Sequence, residues 1–374
     1  MGRRGHGEGS ITQRKDGRWM AALTLDNHKR KYFYSNTRKE VQDKLNKALY
    51  EQKQGTLATG PQQTLAAYLE KWLEYVVKLT LEPNTYQQYR SVVRYHLVPA
   101  LGQIKLQKLT TAMIQALYAQ KQQEGKSSRT IAIIHSVLSS ALENAISWDL
   151  VTRNVAKSAK HPTVEHYEAQ TLTMEQALKL LEVARGTQMD AMLLFALTTG
   201  MRRGEILSLR WEDIDFERSV VFVHRTVNRI VGQGFVEGEP KTKAGRRRIL
   251  LPDVAIEALK SHKVAQEQAR IKAGEKWVER GIVFSNTKGG FLSTNLVRRR
   301  FRELLKNAGL PGMRFHDLRH SAATILLGAK VQLKVVSERL GHASIATTAD
   351  IYSHVLPEMQ QEVVDKIDGL FKGS

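Results

Sequence analysis

The stretch from Thr64 to Lys160 most limits the fold, because apolar residues recur in it at helical spacing four times over. TLAAYLEKWLEYVV, TYQQYRSVVRYHLVPALG, TTAMIQALYAQKQQEG and SSRTIAIIHSVLSSALENAISWDL each carry an apolar stripe of helical period. Four or five such helices in so short a stretch must bury their faces on one another, so residues 64–160 are expected to form a compact helical bundle. QGTLATGPQQT, from Gln54 to Thr64, and KSAKHPTVEHYEAQ, ending at Gln170, read as linkers that divide the chain into three parts.

Residues 1–58 follow a different rule. SITQRKDGRWMAALTLD and KRKYFYSNT alternate apolar and polar residues around KDG and DNHK turns, which predicts a small antiparallel sheet. A helix is expected after it, capped by Thr37 with Glu40 reaching back, its inner face made by Val41, Leu45, Ala48 and Leu49. This part has 13 Lys/Arg against 6 Asp/Glu, with Trp19, Tyr32, Phe33 and Tyr34 interleaved. It reads as a DNA-binding module whose sheet faces a groove. The candidate contacts are Arg14, Lys15, Arg18, Lys29, Arg30 and Lys31. The aromatic residues serve equally as its core, since alternate strand positions face opposite sides.

Residues 171–374 are mixed. TLTMEQALKLLEVA opens on a capping box from Thr173 to Gln176, and AMLLFALTTG is an apolar helix stopped at Gly200. SVVFVH and RRRILLP predict strands joined across EGEPKTKAG, and helices resume at TNLVRRRFRELLKNAG, HDLRHSAATILLGA and LKVVSERLGH.

Charge narrows the partner. The chain has 57 Lys/Arg and 37 Asp/Glu among 374 residues, a net charge of +20, so a polyanion is its expected partner. It has no cysteine, which removes disulfides, thiolate metal sites and thiol nucleophiles. MGRRGHGEGS has no apolar segment behind its arginines, and no run approaches the roughly 18 apolar residues of a membrane span, so the expectation is a cytoplasmic protein without a membrane partner.

Four clusters could carry chemistry. Arg202 follows Gly200 in TTGMRRGEILSLRWEDID, and Glu205, one helical turn on, is placed to hold its guanidinium. Taken alone, Arg202 reads better as an arginine on a solvated helix face. Lys241 and Lys243 sit in EPKTKAGRRRILLP at the tip of the expected hairpin, where a lysine reaches into a groove or is merely solvated. His316 and Arg319 in RFHDLRHSAATILL project from one face of a helix start, where backbone N–H groups also favour an anion. His316 with His320 has the spacing of a metal pair, but the glutamate of HExxH is absent and no third ligand has an obvious place, so no metal is expected. In LGHASIATTADIYSHV, Tyr352 follows His342 by ten residues. A phenol with a pKa near 10 is a poor nucleophile, and cations around its target offset that. Together the clusters gather donors around one hydroxyl, a set suited to attack on a phosphodiester without a metal or other cofactor.

TGMRRGEILSLRW, PKTKAGRRRILLP, HDLRHSAATILL and LGHASIATTADIYSH, in this order and spacing, closely resemble the tyrosine recombinases, and among them the integrases of phages and conjugative transposons. The resemblance covers nearly the whole chain. It implies an arm-type DNA-binding domain at 1–58, a helical core-binding domain at 64–160, and a mixed α+β catalytic domain of the tyrosine recombinase and type IB topoisomerase type at 171–374. It makes Arg202 the first catalytic arginine, Glu205 the acidic residue one turn after it, and Lys241 the hairpin lysine, with Lys243 a rival for that role. His316 and Arg319 match the H-x-x-R pair, His342 the histidine of L-G-H, and Tyr352 the nucleophile. RNVA at 153–156 departs from a common Asn-Pro and touches only the stiffness of the following linker.

The activity so implied is site-specific recombination through a covalent 3′-phosphotyrosine. Double-stranded DNA attachment sites are the substrate and a homotetramer on DNA the assembly, with an accessory DNA-bending protein or excisionase as a further partner. Met359, Val363, Val364, Ile367, Leu370 and Phe371 make a helical stripe in the tail, suited to packing on a neighbouring protomer or on its own domain. The alternatives are topoisomerase-like relaxation of DNA, a non-catalytic regulator on the same scaffold, and a metal-dependent nuclease.

Overall fold

A computed structural model describes residues 9–25, 30–53, 62–165, 170–230, 232–240 and 242–352, with the backbone alone at 347 and 350–352. Lys29, Lys241 and the apolar stripe from Met359 to Phe371 lie outside the described residues. The chain is mainly helical and divides into two units, residues 1–166 and 167–374.

The first unit begins with a three-stranded antiparallel sheet, β1 (Ser10–Gln13), β2 (Trp19–Thr24) and β3 (Arg30–Ser35), followed by α1 (Arg38–Lys53). Strand alternation sends Ala21 and Leu23 toward α1, where they meet Val41, Leu45 and Ala48, with Trp19, Phe33 and Leu49 at the edge of this core. Tyr32 and Tyr34 emerge on the opposite, open face, so the aromatic residues divide between core and surface. Thr37 caps the helix through its hydroxyl on the Glu40 amide. Glu40 does not complete the expected box: its carboxylate takes the nearer Ser35 hydroxyl at the end of β3.

The helical stretch is a bundle as its period predicts. α2 (Leu65–Trp72) and α3 (Lys78–Thr80) form one rod through a π-helical turn, Leu73–Val77. α4 (Pro83–Val92) and α5 (Val98–Leu101) are joined likewise across Val93–Leu97. The wider turn brings Trp72 and Val77, five residues apart, onto one buried face. α6 (Thr111–Gln123) and α7 (Ser128–Ser147) complete it. Thr64, Thr110 and Ser127 cap α2, α6 and α7 with side-chain oxygens, which fixes where these helices start.

In the second unit α8 (Met174–Ala184) starts at the complete Thr173–Gln176 capping box. α9 (Asp190–Thr199) is apolar around most of its circumference and lies in the core, where it packs on α8, on α11 (Asp253–Ala273) and on α13 (Asp317–Gly328). Gly200, at φ +63°, ends α9, and α10 (Arg203–Ser208) starts three residues later. β4 (Ile214–Asp215), β5 (Val220–Val223) and β8 (Arg247–Leu250) form an antiparallel sheet in that order. α12 (Thr294–Asn307), α14 (Leu333–Leu340) and α15 (Ile345–Tyr352) complete the unit.

One expectation for this unit needs correction, and one helix goes beyond the sequence pattern. SVVFVH does pair with RRRILLP, but the chain between them makes a separate hairpin, β6 (Thr226–Ile230) with β7 (Gly234–Gly238). Gly232 and Gly234, at φ +84° and +81°, make the turn that only glycine adopts without strain. The tip is therefore there, and Lys243 lies in a single 3₁₀ turn (Lys243–Gly245) leading into β8 rather than at a hairpin tip. The 21-residue α11 lies outside the helices that the sequence pattern marks: it buries Ala255, Ile256 and Leu259 near its start and little of its later turns, so its apolar stripe is short.

Candidate active site

Two left-handed glycines organise the site. Gly200 ends α9 and Gly341, at φ +72°, ends α14. Neither position has room for a side chain: a Cβ on Gly200 would lie 2.4 Å from Leu340, and one on Gly341 2.7 Å from the Ala244 carbonyl oxygen. Each glycine carbonyl accepts from an arginine distant in sequence. Arg319 Nη1 donates to Gly200 O at 2.7 Å, and Arg202 Nη2 donates to Gly341 O at 3.1 Å. Each guanidinium is thereby tied to an element distant in sequence, 119 residues off for Arg319 and 139 for Arg202.

Glu205 supports this arrangement from beneath. Its carboxylate accepts the Arg202 amide at 2.9 Å, Arg202 Nη1 at 2.9 Å and Arg247 Nη2 at 3.0 Å, and the side chain is 2% exposed. Burial alone would push this carboxyl up, but the Arg247 charge and hydrogen bond, then Arg202, outweigh it and hold the group below the ordinary carboxylate range. Arg247 also donates from Nε to Arg339 O at 2.7 Å and from Nη1 to Gly245 O at 3.0 Å. Arg339 in turn donates to Thr198 O at 2.7 Å and Leu250 O at 3.1 Å, which ties α14 to α9 and β8.

The histidines lie among these charges. His316 stands at the start of α13 and meets His320 edge to face, with ring centroids 5.8 Å apart. Among the described residues no group of three His, Asp or Glu side chains is placed to hold a metal ion. Burial and then the Arg319 charge lower His316 to about 4. His342 follows Gly341 directly and is also lowered to about 4, by burial, then Arg319, Arg202 and His320. Both imidazoles are therefore neutral near pH 7 and offer one N–H each.

A cavity of about 880 Å³ opens beside Arg202 and His316, lined also by Arg203, Arg298, Arg302 and Arg314. Arg314 is committed to Asp317, at 2.7 Å, while Arg203 is lowered by burial and by the Arg298 charge across from it. An anion is the natural occupant of such a space.

The structure thus brings Arg202, Glu205, His316, Arg319 and His342 into one region, from stretches up to 140 residues apart (202 to 342). Tyr352 is the last residue of α15, a helix that begins three residues after His342. Arg14, Lys15, Arg18, Arg30 and Lys31 lie in the other unit. Arg18 is paired with Asp16 at 2.8 Å, and Arg14 lies 5.4 Å from the Tyr34 ring on the open face. Lys31 is on the face toward α1, partnered by the Phe33 ring.

Reading the sequence missed Arg247, Arg339 and, in the cavity, Arg203, Arg298, Arg302 and Arg314. For Arg247 a signal existed: in GRRRILLP it is in phase with the inward Ile249, so alternation turns its side chain inward. Arg298 and Arg302, four apart on α12, likewise share a helix face.

Fixed arginines and neutral imidazoles, gathered from separate elements ahead of a helix that ends in tyrosine, are a set suited to phosphoryl transfer by transesterification. Comparison with known proteins makes this specific. Residues 170–359 match the phage integrase family, and residues 64–121 match the phage integrase N-terminal SAM-like domain. A tyrosine recombinase XerC-like protein of Caldanaerobacter subterraneus is 31% identical over 361 residues, covering 91% of this chain and 92% of that protein. In fold the chain is similar to the Tn1549 transposon integrase solved with transposon right-end DNA, at TM-score 0.67 and 21% identity, covering 80% of this chain and 99% of that one. It is similar too to a lambda integrase tetramer bound to a Holliday junction, at TM-score 0.59 and 20% identity, covering 93% and 96%. The chain belongs to the phage integrase family: it is a tyrosine-type site-specific recombinase acting in the integration of mobile elements.

Proposed function

We propose that the region between Gly200 and Gly341 is where a DNA phosphodiester is cut, with Tyr352 as the nucleophile. Arg202 and Arg319 clamp the non-bridging oxygens, and fork-shaped donors already fixed by main-chain carbonyls lose little freedom in doing so. His316, neutral in the free enzyme, takes the phenol proton as the Tyr352 oxygen bonds to phosphorus. The bond from phosphorus to the 5′ oxygen breaks, and Lys241 protonates that oxygen, with Lys243 the alternative donor. His342 donates a hydrogen bond to the phosphate. Glu205 holds Arg202 in place. The product is a 3′-phosphotyrosine link and a free 5′-hydroxyl, and attack by the 5′-hydroxyl of a partner duplex reverses the step with strands exchanged. ATP has no part in it.

The observation that carries this reading is the pair of arginine-to-glycine-carbonyl bonds, which aim two cations at the region His342 occupies. A suicide DNA substrate in EDTA tests it: the unaltered protein forms a covalent adduct and Tyr352→Phe forms none. An adduct with the variant refutes the assignment.

The rest of the chain fits this role. Residues 1–58 act as an arm-type DNA-binding domain, using the open face of the sheet with Tyr32 and Tyr34 and the cations Arg14, Lys15, Arg18, Lys29 and Arg30. Lys31 contributes least, since burial already lowers it on the α1 side. Residues 64–160 bind core DNA, and 171–374 catalyse. Two strand exchanges need four cuts, so the active assembly is a homotetramer on DNA, as the lambda integrase relative is. It works in the cytoplasm of a bacterial cell, with direction set by a DNA-bending protein or excisionase.

A further inference from the structure

His342 Nδ1 lies 2.8 Å from the hydroxyl of Thr348, and that threonine is 0% exposed. Thr348 belongs to α15, four residues before Tyr352, so the two positions stand one turn apart on one face of the same helix. A buried hydroxyl without a partner is destabilising, so this one is committed to the imidazole.

The bond has a chemical consequence. A neutral imidazole carries one proton, and the partner of one ring nitrogen decides where that proton sits. Phosphate oxygens are acceptors. For His342 to donate to them through Nε2, its Nδ1 must be the acceptor, and the Thr348 hydroxyl must donate to it. The reverse tautomer would present a lone pair to an anion. The backbone on the other side of the ring is fixed independently: the His342 amide donates to Ser337 O at 3.1 Å, and Gly341 O is held by Arg202.

We propose that Thr348 is a positioning residue of the recombination reaction: its hydroxyl locks His342 in the Nε2–H form and does so only when the helix that carries Tyr352 is docked. The nucleophile's own helix thereby switches on the phosphate donor, and a site whose α15 has swung away holds an imidazole free to take either tautomer. This rests on the assignment of His342 as phosphate donor made above.

The test is single-turnover cleavage at saturating DNA by Thr348→Val and Thr348→Ser, each in the unaltered and in the His342→Ala background, with DNA affinity measured alongside. Valine keeps the shape and removes the hydroxyl. Thr348→Val is expected to slow cleavage roughly tenfold to a hundredfold with DNA affinity unchanged, as loss of the partner that orients a functional histidine does. Thr348→Ser stays within about threefold of the unaltered rate, because the donor remains. In the His342→Ala background Thr348→Val adds less than about a twofold loss, since the group it acts through is gone. Cleavage by Thr348→Val at the unaltered rate overturns the inference, as does an equal loss in both backgrounds. Should His342→Ala itself cleave normally, the donor assignment falls and takes this inference with it. If the valine variant does not fold, histidine ¹⁵N shifts of the unaltered protein decide. Protonated Nε2 at His342 supports the inference, and protonated Nδ1 overturns it.

Discussion

The helical bundle and the catalytic unit are built on opposite principles. Between Leu65 and Ala159 the buried residues are almost all apolar, Lys121 and Asn154 being the described exceptions at 6% and 8% exposure. The catalytic unit buries Glu205, Asp213, Asp317 and Arg319, and the Arg247 side chain is only 7% exposed. Apolar burial tolerates small shifts, because it has no direction. A buried charge is stable only with its partners in place, which makes the catalytic unit stiff around the arginines that must meet phosphate. The bundle is built to persist and the catalytic unit to hold a geometry.

Substitutions in each region should break them differently. Arg247→Met leaves Glu205 buried with Arg202 as its one ion partner among the described residues and is expected to cost about 3 kcal/mol at pH 7. The loss appears as weaker amide-exchange protection of α9 and α14, with α7 untouched. Leu138→Ala, at a fully buried position of α7, costs a similar amount, about 2–5 kcal/mol, confined to the bundle. Acid separates the two. In the unaltered protein Glu205 lies below its unfolded value, so its contribution is present above that value and fades as pH falls through the folded one. Without Arg247, burial pushes the carboxyl up, and protonation on acidification relieves the variant. The Arg247→Met penalty therefore shrinks toward pH 4 while that of Leu138→Ala does not. Equal penalties at both pH values would erase the distinction.

A subtler break comes from Gly200→Ala, which forces φ +63° on an alanine and drives its Cβ into Leu340. Shifting the carbonyl that holds Arg319 is expected to slow cleavage roughly tenfold to a hundredfold while DNA affinity changes little. A normal cleavage rate would mean that the carbonyl does not place the guanidinium.

The smallest effect is a predicted absence. With His316 and His342 lowered to about 4, neither gains a proton between pH 8 and pH 6 in the free protein. The kcat/KM for cleavage, which reports free-enzyme groups, should stay level down to about pH 5.5 and fall only below it. A half-maximal fall near 6.5 would show that an ordinary histidine controls the step.

The same contrast decides what could be read from the amino acids. In the bundle each apolar stripe lies on a helix where its period places it, because burial there depends on spacing alone. Arg202, Glu205, His316, Arg319 and His342, which the structure gathers, were legible as a set, since each stands beside a local marker: a glycine stop, a helix start or an LGH turn. Arg247 and Arg339 were not singled out, because their partners are a carboxylate 42 residues away and main-chain carbonyls as far as 141 residues off. A carbonyl has no letter in a sequence. Thr348 was hidden for a similar reason, as a threonine in a helix ordinarily reads as filler until the imidazole beside it is seen. The β6–β7 hairpin was masked by the basic EPKTKAG run, which drew the turn to the wrong place.

The central claim, that a phosphate is handed to Tyr352 by this charged framework, is tested most directly by the chemistry of the trapped adduct. Trypsin cutting after Arg339 and Lys366 releases one peptide in which Tyr352 is the sole tyrosine. Mass spectrometry of the suicide-substrate adduct should find that peptide carrying nucleotide through a 3′ phosphate on Tyr352. Nucleotide on any other side chain, or attached through a 5′ phosphate, would contradict the account.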